Sequence, residues 1–162
     1  MANPLYDRLF GCHAGKATTF LHLPGGGTVR HAAFLDQAAR IAHVLSAAGL
    51  APGDRLAAQV EKSPQALALY AACAQAGVVF LPLNTAYTTD ELSYFIENSG
   101  AAMLVCDAAK EAALAPMAAR LGARLETLNA DGDGTLADRA RGMPASYPTV
   151  DRGADDLAAF LY

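Results

Sequence analysis

Hydrophobic residues along this chain recur with two different periods, and stretches of the two kinds alternate. In residues 32–48 they fall at alternating gaps of four and three, which is the spacing of one helix face. That face consists of Phe34, Ala38, Ile41, Leu45 and Ala48. Residues 78–81 are instead hydrophobic at every position, which is typical of a strand covered on both faces in a parallel sheet. The pattern therefore predicts buried helices and buried strands in alternation.

The longest stretch without charge, residues 63–89, invites comparison with a membrane-spanning helix, which needs about 20 apolar residues. Local signals divide it instead. Ser63 is a favourable N-cap, and Pro64 falls at the first helical position, where its missing N–H costs nothing. Gly77 stands where a helix can end in a left-handed residue, just before the run 78–81. We therefore expect a buried helix followed by a buried strand, and no membrane span.

The rest of the chain continues this alternation after a short first helix over 4–10, with Leu5 and Leu9 on one face, and a hairpin. The other predicted helices begin at the capping box of Thr88 and Glu91, cover 108–121 with a break at Pro116, and cover 135–141. The other predicted strands are 18–23, 28–30, 55–60, 101–106, 124–128 and the hydrophobic ending 157–162. Repeated strand–helix–strand units predict an α/β fold, with a mostly parallel sheet flanked by helices and a small N-terminal hairpin.

Composition adds an expectation about partners. The 162 residues suffice for one domain, and 53% are hydrophobic against 17% charged, which is more apolar than an average domain. Part of this surplus is expected to face another protein segment, and an exposed apolar surface would allow a non-native dimer. The net charge of -4, with acids and bases interspersed, provides no field that attracts nucleic acid or an anionic membrane.

The cysteines and the first residues bear on cellular location. Cys12, Cys73 and Cys106 are an odd number, lie far apart, and are interpreted as reduced thiols. The first ten residues contain Asp7 and Arg8 and lack the apolar core of a secretion signal. The expected location is the cytoplasm.

Common catalytic and metal-binding signatures are missing. The chain contains no G-x-S-x-G, no G-x-x-x-x-G-K-[ST] and no G-x-G-x-x-G after a strand, so no catalytic or nucleotide-binding residue is assigned. The four histidines lack metal-ligand spacing. His22 and His31 could face each other across the hairpin, but two ligands would not make a site. Asp131 and Asp133 are interpreted as turn residues. No metal site is assigned.

Two further motifs have competing interpretations. The glycines 25–27 are favoured as a hairpin turn over a phosphate cradle, because they lead into a strand and not into a helix. The acidic group of Asp151, Asp155 and Asp156 is favoured as a solvated loop over a catalytic pair. Lys16, Lys62 and Lys110 match no catalytic motif.

The polar loop after strand 78–81 holds the candidate substrate-binding residues, Asn84 and Tyr87. In α/β sheets ligands bind beyond the carboxyl ends of the strands, and this loop follows what we expect to be a central strand. A structural turn is the competing and favoured interpretation.

Several of these features, in this order, resemble the N-terminal region of the adenylate-forming acyl-CoA synthetases. They are Gly53-Asp54-Arg55, a strand, Ser63, a helix ending in Ala76-Gly77, Pro82-Leu83-Asn84, Glu91-Leu92 and the ending 151–162. Within that superfamily, residues 83–88 and 151–157 most resemble malonyl-CoA synthetases. The resemblance implies a two-step ligase: a carboxylate, malonate here, attacks the α-phosphate of Mg²⁺-ATP, and the thiol of coenzyme A then displaces AMP.

The resemblance also implies that residues 1–162 are an incomplete N-terminal domain. In the family a Thr/Ser/Gly-rich phosphate loop follows the strand that matches 156–162. That loop, the rest of the large domain and the small C-terminal domain are not in this sequence. We therefore expect the chain alone to bind no cofactor and to be inactive. The alternatives are a self-sufficient, non-catalytic α/β binding module and a truncation product.

Overall fold

The computed structural model describes residues 3–162, which form alternating helices and strands. The helices are α1 (Pro4–Leu9), α2 (His31–Ala47), α3 (Pro64–Ala76), α4 (Thr89–Ser99), α5 (Ala108–Arg120) and α6 (Thr135–Arg141), with a 3-10 turn at Gly11–His13. The strands are β1 (Thr19–His22), β2 (Thr28–Arg30), β3 (Arg55–Gln59), β4 (Val79–Pro82), β5 (Met103–Cys106) and β6 (Arg124–Thr127).

The predicted parallel sheet is confirmed. Its four strands lie in the order β4-β3-β5-β6, and every neighbouring pair is parallel, with Ala57 of β3 opposite both Leu81 of β4 and Leu104 of β5. The predicted hairpin is a separate antiparallel pair, β1 and β2. The α/β fold class with a small N-terminal hairpin is therefore correct.

Helices cover both faces of this sheet, because successive strand residues point to opposite sides. Leu56 and Met103 face α2, α3 and α6 in one hydrophobic cluster. Ala57 and Leu104 face α4 and α5 in the other. The result is three layers, with the sheet in the middle.

Helix ends follow the predicted local signals. The Ser63 side chain accepts a hydrogen bond from the backbone N–H of Ala66 at 3.0 Å, and Gly77 ends α3 with φ of 73°. Both halves of the Thr88 and Glu91 capping box are formed at the start of α4. Between residues 3 and 162, no helix combines the length and hydrophobicity needed to cross a membrane.

The predicted first helix is formed, and aromatic side chains anchor it to the core. In α1 the buried side chains are Tyr6 and, just after the helix, Phe10, whereas Leu9 is 46% exposed. The reason is that the Phe10 ring packs against the rings of Phe34 and Tyr70, at centroid distances of 5.9 and 6.0 Å. Leu5 also packs against this core, so the predicted face of Leu5 and Leu9 is exposed at Leu9 only.

The expected break at Pro116 is absent, since α5 is one helix over Ala108–Arg120. Pro116 is exposed, while Leu114 and Met117 on either side of it are buried in the α4 and α5 cluster. Packing of these neighbours holds the helix together across the proline.

The predicted buried strand at 157–162 is also wrong. This tail forms one parallel bridge to β4, between Phe80 and Ala159, and its Leu157 and Leu161 are 64% and 75% exposed. The expectation that β4 is central fails with it, because β4 is the last regular strand on its side of the sheet. Within residues 3–162 the tail is otherwise covered in part, where Phe160 packs against the cluster of α4 and α5 and Tyr162 packs on Phe95.

Candidate substrate site at the carboxyl edge of the sheet

The strand order creates a switch point between β3 and β5. The chain passes from β3 to β4 in one direction and then crosses back over β3 to β5, with α3 on one face and α4 and α5 on the other. In open α/β sheets, the crevice beyond the carboxyl ends of the strands at such a point is where ligands bind. Here an open hollow of about 240 Å³ lies at this position. It is lined by Gln59, Glu61, Thr85, Ala86, Asp107 and Lys110.

Gln59, the last residue of β3, is fully buried and lies beneath the loop that follows β4. Its Nε2 donates hydrogen bonds to the backbone carbonyls of Asn84 at 2.9 Å and Tyr87 at 3.0 Å. Its Oε1 accepts a hydrogen bond from Nζ of Lys110 at 3.1 Å. Both amide donors are thus used on the loop backbone.

Lys110 reaches the same loop from the first turn of α5. Asp107 accepts from the N–H of Ala109 at 2.8 Å and so caps this helix directly after β5. Nζ of Lys110 donates to the carbonyl of Thr85 at 2.6 Å as well as to Gln59. The ion pairs found within residues 3–162 do not include Lys110, so its ammonium is held by two neutral oxygen acceptors.

The two predicted site residues lie together in this loop. Asn84 is exposed, and its Oδ1 accepts from the N–H of Ala86 at 2.9 Å, which makes an Asx turn. Because that bond orients the amide, Nδ2 of Asn84 is left as a free donor within the described chain. Tyr87 packs its ring on Phe95 at 5.0 Å, and its hydroxyl makes no hydrogen bond to any described residue. The loop is a structural turn that also presents free polar atoms.

Sequence reasoning missed Gln59 and assigned no role to Lys110. A glutamine directly after the apolar residues 56–58 of β3 was the available signal for Gln59. Lys110 had no comparable signal, because its partners are a backbone carbonyl 25 residues away and a side chain 51 residues away.

The other candidate residues lie elsewhere. His31 stacks on His13 at 4.5 Å, whereas His22 pairs with Thr28, so the two hairpin histidines do not face each other. Partial desolvation, with Lys16 and His31 nearby, lowers the pKa of His13. Among residues 3–162 there is no group of three histidine, cysteine or acidic side chains placed to hold a metal ion.

The predicted turns are formed. Gly25 and Gly26 have φ of 87° and 93° and connect β1 to β2. Asp133 accepts from the side chain of Asn129 at 2.5 Å within the turn before α6. Asp156 lies in a loop, where it accepts from the N–H of Gly153 at 2.7 Å.

The cysteines divide by burial. Cys12 is exposed, and Cys73 and Cys106 are buried. Burial raises the pKa of Cys106 to about 11, helped by Glu111 and Asp107, and it raises the pKa of Cys73 further. Both buried thiols are therefore protonated and unreactive near neutral pH.

A second, more apolar hollow of about 570 Å³ lies between the hairpin and the start of α3. Its walls include Leu21, His22, Pro64, Leu67, Tyr70 and Phe80. The ionisable side chains in its lining are His22, Lys62 and Tyr70.

Comparison with known proteins places these features in a family. The model of the AMP-binding enzyme family matches residues 13–162. The crystal structure of apo MatB from Rhodopseudomonas palustris superimposes with a TM-score of 0.95 and 47% identity, covering 100% of this chain and 32% of that one. The ATP-bound MatB structure gives a TM-score of 0.93 and 46% identity, covering 98% of this chain and 32% of that one.

A curated relative, feruloyl-CoA synthase from Amycolatopsis, is 36% identical over 146 residues, which are 90% of this chain and 27% of the relative. The chain therefore spans between a quarter and a third of the length of feruloyl-CoA synthase and MatB. Because the family match covers nearly all of the described residues, the chain belongs to the AMP-binding enzyme family.

Proposed function

We propose that this chain is the N-terminal part of an ATP-dependent acyl-CoA ligase, which converts a carboxylate, ATP and coenzyme A to an acyl-CoA, AMP and pyrophosphate. The observation that carries the proposal is the similarity to MatB over the whole chain, at 47% identity and a TM-score of 0.95. Feruloyl-CoA synthase, at 36% identity, supports the same reaction class. The proposed location is the cytoplasm.

Malonate is the proposed acid. Residues 83–88 and 151–157 resemble the corresponding segments of malonyl-CoA synthetases, and the similarity to MatB favours that branch of the family. Asn84 and Tyr87 are the proposed substrate contacts, since a free amide N–H and a free phenol hydroxyl can both donate to a carboxylate oxygen.

Binding of Mg²⁺-ATP is assigned to parts of the ligase outside residues 1–162. The described residues do not fit that group: they contain no candidate metal cluster, and the glycine turn at 25–27 joins two strands and does not open a helix. When bound, ATP supplies the leaving group that activates the carboxylate. This chain would contribute the parallel sheet and the loop of Asn84 to the acid's site.

The test compares the complete ligase with the 162-residue chain. Purified complete protein is assayed for AMP formation with ATP, Mg²⁺ and coenzyme A, using malonate, methylmalonate or acetate. We expect malonate to give the highest kcat/KM. The 162-residue chain, assayed for malonate-dependent ATP–pyrophosphate exchange, is expected to show none.

Three outcomes contradict parts of the proposal. A complete protein that forms no AMP with any acid rules out the ligase, and preference for another acid rules out malonate only. Exchange activity in the 162-residue chain refutes the assignment of ATP binding to other segments.

We also propose that the isolated chain self-associates through its exposed apolar surface, namely the hollow between the hairpin and α3 together with Leu157 and Leu161. Sedimentation velocity over a range of concentrations measures this. A monomer at every concentration, with a ligand-dependent increase in melting temperature, would favour the self-sufficient binding module instead.

A further inference from the structure

We propose that Gln59 and Lys110 are positioning residues that fix the loop of Asn84 for the acid substrate. We call these two side chains the loop clamp. The inference rests on the proposed ligase function, because it assigns the loop a role in binding the acid. It goes further by naming residues outside the loop that set the direction of the donor on Asn84.

The clamp binds the loop through its backbone. Gln59 donates to the carbonyls of Asn84 and Tyr87, and Lys110 donates to the carbonyl of Thr85 between them. Within the loop, the N–H groups of Ala86 and Tyr87 bond to Asn84, and the loop is joined to the rest of the fold by the N–H of Leu83 to Ala58 and by the Tyr87 ring on Phe95. Between these two attachments, the path of residues 84–87 depends on one side chain from β3 and one from α5.

Lys110 mainly fixes the position of the loop and contributes less to the stability of the fold. The carbonyl of Thr85 borders an open hollow of about 240 Å³, where water can replace a lost donor at little cost. A water molecule in place of the ammonium would not connect the loop to α5. Removing the ammonium also takes the donor from Oε1 of the buried Gln59. We therefore expect some loss of stability, an intact fold, and a loop released from the helix.

The loop position matters because the Asn84 amide is already oriented. Its Oδ1 is held by the N–H of Ala86 at 2.9 Å, so any movement of the loop carries Nδ2 with it. Misplacing a substrate-positioning group by about 1 Å can reduce a rate by about a hundredfold. Lys110 would thus act on the acid through Asn84.

The experiment is a double-mutant cycle in the complete ligase with Lys110→Met, Asn84→Ala and both together. We expect Lys110→Met to raise the KM for malonate about tenfold, with kcat and the KM for ATP changed by less than about threefold. The double variant should be no worse than the poorer single variant, because the two residues act as one unit. Lys110→Arg, which keeps the donors, should recover most of the loss.

Lys62→Met is the matched control, since Lys62 is an exposed lysine with no hydrogen bond or ion pair to any described residue. This variant should leave kcat and the KM values for malonate and ATP unchanged. An unchanged malonate KM in Lys110→Met overturns the proposal, as do additive effects of Lys110→Met and Asn84→Ala.

Hydrogen–deuterium exchange separates this inference from the proposed function. In Lys110→Met, amides of residues 85–88 should exchange about tenfold faster, and those of the sheet should be unchanged. This readout holds even if the complete protein has no ligase activity, and equal exchange at 85–88 overturns the clamp. If Lys110→Met fails to fold, Lys110→Gln replaces it, and loss of fold in both variants also overturns a positioning role.

Discussion

Strand β4 and the tail at 157–162 have similar hydrophobic sequences and opposite environments. In β4, Val79 is 2% exposed and Leu81 is fully buried, whereas Leu157 and Leu161 of the tail are 64% and 75% exposed. Strand β4 pairs with β3 over four residues and is packed against α4, whereas the tail makes a single bridge and contacts the fold through the side chains of Phe160 and Tyr162. A hydrophobic run therefore predicts burial only where the same chain also supplies the surfaces that cover it.

The largest expected effect tests this contrast with the same substitution in both segments. Leu81→Ala should lower the free energy of unfolding by about 2–5 kcal/mol, because it leaves a cavity between the sheet and α4. Leu161→Ala should change it by less than about 0.5 kcal/mol. Urea titration of the 162-residue chain measures both, and similar losses would mean that the tail is as well packed as β4.

An intermediate effect is expected at the turn that directs the chain into β4. Gly77 has φ of 73°, and an added Cβ would lie 3.1 Å from Arg152 and 3.2 Å from Pro52 and Val150. Gly77→Ala should cost about 2–3 kcal/mol, from backbone strain and these contacts together. Gly49→Ala, after α2, is the matched control: φ is 89° with no atom within 4 Å of the added Cβ, so about 1 kcal/mol is expected.

Thermal unfolding of the two glycine variants checks whether Gly77→Ala is more destabilising than Gly49→Ala. If Gly49→Ala destabilises the chain as much as Gly77→Ala does, the close contacts at Gly77 contribute nothing.

The smallest effect is expected in the tail. The hydroxyl of Tyr162 donates to Oδ1 of Asn98 at 2.5 Å, but Tyr162 is 44% exposed and water competes for both groups. Tyr162→Phe should therefore lower the free energy of unfolding by no more than about 0.5 kcal/mol. Asn98→Ala and the double variant complete a cycle, and a coupling above about 1 kcal/mol would show that the tail is firmly anchored.

Local signals predicted much of the fold. Ser63, Pro64 and Gly77 marked α3 to the residue, and the Thr88 capping box marked the start of α4. These helix-end signals depend on residues only a few positions apart, so they can be recognised directly in the sequence. Pro116 was misjudged because its helix is held by burial of Leu114 and Met117, which depends on the sheet and α4.

The candidate site was predicted less completely. Asn84 and Tyr87 were found because a polar loop after an apolar strand is visible in the sequence. The contacts of Gln59 and Lys110 were not, since each side chain binds backbone carbonyls of a loop that only the folded sheet brings near. Every residue has a backbone carbonyl, so contacts to these acceptors cannot be recognised from the amino-acid sequence.

The parallel bridge between Phe80 and Ala159 has one more consequence. Because the tail runs parallel to β4, its last residue lies at the edge of the sheet where Asn84 and Tyr87 lie. The rings of Tyr162 and Phe95 are 4.5 Å apart, and those of Phe95 and Tyr87 are 5.0 Å apart, so an aromatic path connects the last residue to the loop. Any polypeptide joined to Tyr162 would therefore begin near the proposed acid-binding loop.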